Sequence, residues 1–292
     1  MYEGSELMFK YLLRSIREPD TLRHIFVERL SEPLHLNLIS GFVALFGSYR
    51  TKIDFDLIER RYHAFGLLRA ADFAREINVN RLTVIEFGVA NGSGLLNLCE
   101  VGRRITDITG VKFDIVGFDT GLGLPPPKDF RDHPEYYSQG DFPLQDKDLL
   151  LRKLPENARV NFGNLEDTIK GFLNDVRAPI GFISVDLDYY SSTVDALTIF
   201  DGPYDLFLPM VVMYFDDVKR ELHNPYCGEL LAIEEFNNGH DFRKITKFNF
   251  LEKRRIFRNA EWIGQMYFCH IFDHAIRTNA LKAKRGEILT RP

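Results

Sequence analysis

The sequence predicts a doubly wound α/β fold: a mostly parallel sheet of seven strands preceded by an N-terminal helical extension. Three observations carry that expectation. From residue 81 onward, short apolar runs rich in β-branched and aromatic residues alternate with helix-compatible segments. The first run feeds directly into a Gly-rich turn, Glu86 to Gly94. Two later runs end in pairs of carboxylates, at the edge where open α/β sheets bind ligands.

Residues 1 to 80 form the expected helical extension. Within it, Asp56 to Ile77 places Ile58, Tyr62, Phe65 and Leu68 at helical spacing and stops at the turn-like Asn78-Val79-Asn80, so this helix should pack beside the sheet. The runs read as strands are Leu82 to Phe87, Phe113 to Phe118, Ala158 to Phe162, Ile180 to Val185 and Met210 to Phe215. Arg243 to Phe250 and Ile263 to Phe272 should finish the sheet as an antiparallel pair. Thr120 to Pro155 is long for a connection and rich in Pro, Asp and Tyr, which marks an active-site loop or lid with some helix. The main domain is expected over residues 81 to 276. The stretch Arg277 to Pro292, with five Lys/Arg against Glu287, reads as a frayed basic tail, or else as a contact for an anionic membrane or carrier.

With 292 residues, 45% hydrophobic and 27% charged, the chain can bury a full core. Its net charge of -5 argues against nucleic acid as a partner, because phosphate backbones are held by clustered basic surface. Cys99, Cys227 and Cys269 are far apart and show no CxxC spacing, so no disulfide framework or zinc site is indicated and a reducing, cytoplasmic setting is expected. Charges interrupt the apolar residues near Met1, which is unlike a signal peptide, and no apolar run reaches the roughly 20 residues of a membrane span. Leu34 to Phe46 is apolar enough to dock on a partner chain as readily as on its own sheet, which leaves a homo-oligomer open.

The Gly-rich turn has the composition a ligand needs. Gly88, Gly92 and Gly94 permit sharp turning and close backbone approach, Ala90 is the next smallest choice, and Asn91 and Ser93 add polar groups before the following helix. The second run ends at Asp119, followed by Thr120, where a carboxylate can accept hydrogen bonds from both ribose hydroxyls. After the third run, Asn164 and Leu165 stand where this kind of fold frames a nucleobase. A turn that binds nothing, and an Asp119 that merely terminates a strand, are the alternatives. The spacing Glu86-x-Gly88-x-Ala90-x-Gly92-x-Gly94 is not the GxGxxG of dinucleotide enzymes. It resembles the E/DxGxGxG turn of class I S-adenosylmethionine-dependent methyltransferases, which implies a Rossmann-like fold and S-adenosylmethionine as cofactor.

Asp186-Leu-Asp188 ends the fourth run and Asp216-Asp217 the fifth, so four carboxylates should converge at one edge. Such crowding calls for protonation or a hard divalent cation, magnesium being the simplest; helix capping is the alternative role for each Asp. Asp119-Thr-Gly-Leu-Gly-Leu-Pro-Pro-Pro127, Val185-Asp-Leu-Asp-Tyr-Tyr-Ser-Ser-Thr193, Phe215-Asp-Asp217 and Ala232-Ile-Glu-Glu-Phe236 are similar to segments of the macrocin O-methyltransferase family of sugar-modifying enzymes. The likeness spans roughly Arg81 to His270 and extends to a group of bacterial methyltransferase-like proteins. It implies a sugar-like small-molecule acceptor, with Asp186, Asp216 and Asp217 as Mg2+ ligands, Asp188 as the base and Asp186 also bordering the cofactor. Leu187, where the family usually has Gly, and Pro209-Met210-Val211, in place of a Gly-rich approach, depart from the pattern.

Tyr189, Tyr190, His133 and Tyr136 are candidates for shaping the acceptor pocket, or else ordinary packing, while His133 and His223 could serve as base or ligand. Trp262 reads as core. Two other functions share some of these features. Asp186-Leu-Asp188 also fits the DxD of a metal-dependent glycosyltransferase, against which the early Gly turn argues, and a non-catalytic protein could keep the same fold.

Overall fold

The computed structural model describes residues 28–219 and 223–279. In chain order the helices are α1 (Leu34–Phe46), α2 (Tyr49–Asp54), α3 (Arg61–Glu76), α4 (Ser93–Thr109), α5 (Lys147–Lys153), α6 (Leu165–Leu173), α7 (Tyr190–Leu197), α8 (Gly228–Gly239) and α9 (Leu251–Arg254). The strands are β1 (Arg81–Phe87), β2 (Lys112–Asp119), β3 (Ala158–Phe162), β4 (Ile180–Val185), β5 (Phe207–Phe215), β6 (Arg243–Lys247) and β7 (Met266–Ile271). They form one seven-stranded sheet in the order β3-β2-β1-β4-β5-β7-β6. Pairing is parallel from β3 through β5, and β7 runs antiparallel to both β5 and β6. The sheet is thus the doubly wound, mostly parallel one that the alternating runs predict, closed by the expected antiparallel pair.

The chain divides into two compact units, one of residues up to Ile58 with Asn249–Ile263, the other of Glu59–Phe248 with the residues from Gly264 on. This boundary lies earlier than the expected one at residue 80, and α3 belongs with the sheet. In the sheet unit, every residue of β1 after Arg81 and every residue of β4 is buried, as parallel strands covered on both faces must be. Alternate side chains serve the two faces. Ile85, Phe87, Val116, Ile183 and Met213 join Ile169, Phe172, Ala196 and Phe236 of α6, α7 and α8 in one core. On the other face, α3 and α4 pack together against the strands. The buried stripe of α3 is mostly small, made of His63, Ala64, Gly66, Leu67, Ala70, Ala71 and Ala74 with Leu68, which the spacing also offers, and a Cβ on Gly66 would lie 2.2 Å from the Phe182 ring. Tyr62 and Phe65, which the spacing offers as anchors, lie half-buried beside that stripe.

The other unit joins segments some 200 residues apart in sequence through polar contacts. Arg255 donates to Asp56 Oδ1 at 2.6 Å and to the Ile53 carbonyl at 2.7 Å, and the Glu32 carboxylate accepts from the backbone N–H groups of Arg258 and Asn259. Trp262 is buried there as core, as expected. Leu34, Leu38, Phe42 and Phe46 of α1 are exposed. Among the described residues no helix is long and apolar enough to cross a membrane. The tail expected from Arg277 lies, beyond residue 279, outside the described residues.

Candidate cofactor and carboxylate site

The Gly-rich turn leaves β1 at the carboxyl edge and runs into α4. Gly88 has φ 86, and a Cβ there would lie 1.8 Å from the Asp186 carbonyl oxygen at the end of the neighbouring strand. Glycine is therefore demanded first by the close approach of β1 and β4. A Cβ on Gly94 would meet the Glu86 carboxylate at 2.0 Å, and one on Gly92 would meet Leu150 at 2.3 Å. The Asp119 carboxylate fastens the turn: Oδ2 accepts from the N–H groups of Val89 and Ala90 at 2.8 Å each, and Oδ1 from Gly121 at 2.6 Å. Three of its roughly four acceptor positions are thereby used by backbone.

Above the turn lies a cavity of about 550 Å³, within the size range of small-molecule sites. Gly88 and Ala90 line it from the turn, Asp119 and Thr120 from the end of β2, Asn164 and Leu165 from the end of β3, Asp186 and Asp188 from the end of β4, and Asp216 from the end of β5. The segment after Thr120 borders it as a loop, through Leu124, Lys128, Tyr137 and Phe142. The remaining expected cofactor residues stand away from the lining. Glu86, Gly92 and Gly94 lie behind the turn, Asn91 accepts from the Gln145 N–H at 3.0 Å, and Ser93 accepts from Arg60 at 2.7 Å. Lys128, Tyr137, Ser191, Ser192 and Asp195 also line the cavity. Sequence reasoning gave none of them a cofactor role, because loop residues and the start of a short helix carry no periodic signal.

Three carboxylates converge beside the cavity, Asp186 and Asp188 on its wall and Asp217 buried next to them. Asp186, Asp188 and Asp217 each offer an oxygen, and these atoms all lie within 4.8 Å of one another. Asp188 reaches this position through a left-handed backbone, φ 59. Asp216 stands beside the group rather than in it: its Oδ1 accepts from the Tyr214 hydroxyl at 2.6 Å and its carbonyl from Gln265 at 2.7 Å. Water can reach Asp186 from the cavity, yet protein surrounds it on a larger scale. That enclosure, followed by the charges of Asp216, Asp217, Asp188 and Glu86, raises its pKa well above the ordinary carboxylate value. Glu229, fully buried on α8, accepts from the Asp217 N–H at 2.9 Å, and burial followed by the nearby Asp217 raises its pKa strongly as well.

Most of the other candidates stand off the cavity. His223 Nε2 lies 3.8 Å from Asp217 Oδ1, and the His133 ring, itself buried, lies 5.7 Å from the His223 ring. Tyr189 is fully buried, Tyr136 is exposed, and the Tyr190 hydroxyl joins Arg131 and Glu235 on the surface. Behind the turn, Glu86 is buried, its Oε2 has no hydrogen-bond partner, and burial pushes its pKa up to about 8 against the opposing pull of Arg60. His63 Nε2 lies 3.9 Å from Glu86 Oε1, and burial drives the imidazole pKa down to about 3.

The strand order with its antiparallel seventh strand, and a cavity at the carboxyl edge beside the first Gly-rich turn, make this a Rossmann-like α/β protein. Among solved structures the chain is similar to a calicheamicin methyltransferase, at 18% identity over 80% of this chain and 90% of that one, with a TM-score of 0.48. It is also similar to the O-methyltransferase from Bacillus cereus in complex with SAH (11% identity, 87% and 96% covered, TM-score 0.41). A third is the O-methyltransferase TomG from Streptomyces achromogenes, involved in tomaymycin synthesis and solved with SAM (12% identity, 70% and 89% covered, TM-score 0.36). No family model matches the chain, and no curated protein does.

Proposed function

We propose that the protein is an S-adenosylmethionine-dependent O-methyltransferase acting on the hydroxyl of a sugar or related small molecule, assisted by a divalent cation. The observation that carries this reading is the presence, on one cavity, of the Asp119-fastened turn and of Asp186 and Asp188 from the converging carboxylates. Gly88, Ala90, Asp119, Thr120, Asn164 and Leu165 would border the cofactor, with Asp119 keeping one acceptor position for a ribose hydroxyl. S-Adenosylmethionine supplies an electrophilic methyl group, and transfer is an in-line displacement whose rate depends mainly on alignment.

The carboxylate group fits a hard cation, because three close oxygens with mutual repulsion are the donor set such an ion takes. Asp186, Asp188 and Asp217 would hold it, and a bound ion would lower the pKa of an acceptor hydroxyl. Asp216, oriented by Tyr214 and lining the same cavity, is then placed to take the proton. This assignment exchanges the roles that the family resemblance gives to Asp188 and Asp216.

Calorimetry with S-adenosylhomocysteine, with and without Mg2+, tests the reading. Binding that persists without the cation is expected, and no binding by the wild-type protein would sink it. Asp188→Asn should weaken Mg2+ or Mn2+ binding by about tenfold or more. Asp216→Asn should keep cation and cofactor binding while turnover falls by about 10²- to 10⁴-fold. Loss of cation affinity in Asp216→Asn, with full affinity in Asp188→Asn, would restore the roles implied by the resemblance.

A further inference from the structure

We propose that Arg60 is the anchor for the carboxylate at the amino-acid end of the cofactor, a role that rests on the S-adenosylmethionine reading above. Arg60 precedes α3 in a left-handed conformation, φ 47 and ψ 63, which a bulky side chain adopts only against steric resistance. Its guanidinium donates from Nη1 to the Tyr62 hydroxyl at 2.8 Å and from Nη2 to Ser93 Oγ at 2.7 Å. Two of five N–H donors are thereby used, both on neutral oxygens. Among the described residues no carboxylate lies within ion-pair distance of this half-buried cation, although Glu86 and Asp186 are near enough to act on its charge.

Its surroundings point to an anionic ligand. Ser93 opens α4, a 17-residue helix whose N-terminus no side chain caps, so the first-turn N–H groups and the guanidinium lie side by side. Directly behind that turn, Glu86 is buried with Oε2 unpartnered and its other oxygen set against Gly94. Asp186, on the cavity wall, is close enough to act on the charge of Arg60. A zwitterionic amino-acid group satisfies both features: its carboxylate pairs with Arg60 and the helix terminus, and its ammonium with Glu86. The planar guanidinium suits a carboxylate because two parallel N–H groups can meet both oxygens.

The test compares two ligands that share the nucleoside and thioether, S-adenosylhomocysteine and 5′-methylthioadenosine, the second of which lacks the amino-acid end. Calorimetry on the wild type, Arg60→Ala and Arg60→Lys reads the affinities, and a thermal melt of each variant verifies folding. Arg60→Ala should lose about 10- to 100-fold in affinity for S-adenosylhomocysteine and stay within about twofold for methylthioadenosine, with Arg60→Lys between wild type and Ala. Equal loss for both ligands, or no loss for either, would mean that Arg60 only staples α3 to α4, and the assignment would fall while the cofactor reading stood. A wild type that bound neither ligand would remove both.

Discussion

At the scale of single residues, close packing and burial leave measurable signatures. Gly88→Ala places a methyl group into the Asp186 carbonyl and forces an L residue to φ 86, so a stability loss of about 3 kcal/mol is expected in urea unfolding. Glu86 and His63 give a stability profile with two opposed arms. Glu86 is raised from 4.5 to about 8, so the folded state holds a proton that the unfolded state releases, and stability falls as pH rises through that window. His63 is lowered from 6.5 to about 3, so the unfolded state holds the extra proton, and stability falls as pH drops through its own window. The two terms cancel between 4.5 and 6.5, and between 6.5 and 8 Glu86 alone gives a decline of about 1.4 kcal/mol per pH unit. Glu86→Gln, which mimics the protonated form, should remove that alkaline decline. An unchanged slope in denaturant titrations from pH 6.5 to 8 would contradict the assignment. Glu229 and Asp186, both raised, add declines of the same sign, so the variant is read as a difference from wild type.

At the scale of elements, α3 approaches β4 closely because five of the eight buried residues in its stripe are alanine or glycine. Gly66→Val would drive branched methyl groups into Phe182 and should cost about 2 to 3 kcal/mol despite the better helix propensity of valine. The apolar spacing in Asp56 to Ile77 revealed the helix but offered Tyr62 and Phe65 as anchors, since large residues dominate a hydrophobic pattern while a stripe of alanines does not. Strand β5 starts three residues earlier than the expected Met210. Pro209 hides that start, because proline argues against a central strand; here its neighbourhood coincides with a register shift against β4 between Ile180 and Phe182.

At the scale of the whole chain, residues far apart in sequence form one unit through buried charge. Arg255 and Asp56 are both nearly inaccessible, and removing one partner leaves the other charged and buried. Asp56→Ala should therefore cost about 3 to 5 kcal/mol, whereas replacing both residues by apolar ones should cost much less. Thermal melts of the single and double variants measure this, and a double-variant loss equal to the sum of the two single losses would show that the pair itself carries little coupling. No spacing rule in the sequence links residues 56 and 255.

The sequence by itself determined the seven strands, the parallel-to-antiparallel change at the end of the sheet and the Gly-rich turn. These rest on local composition: apolar β-rich runs, and small residues where the chain must turn. Its carboxylates were legible too, as strand-end pairs, but their grouping was not. Tertiary structure decided that Asp188 joins Asp186 and Asp217 while Asp216 is held by Tyr214, because one residue in a left-handed conformation re-aims a side chain. It likewise placed Arg60 against Ser93 and set Gly88 beneath the Asp186 carbonyl. Such contacts join the ends of different strands and helices, and their geometry follows from packing that no single segment encodes.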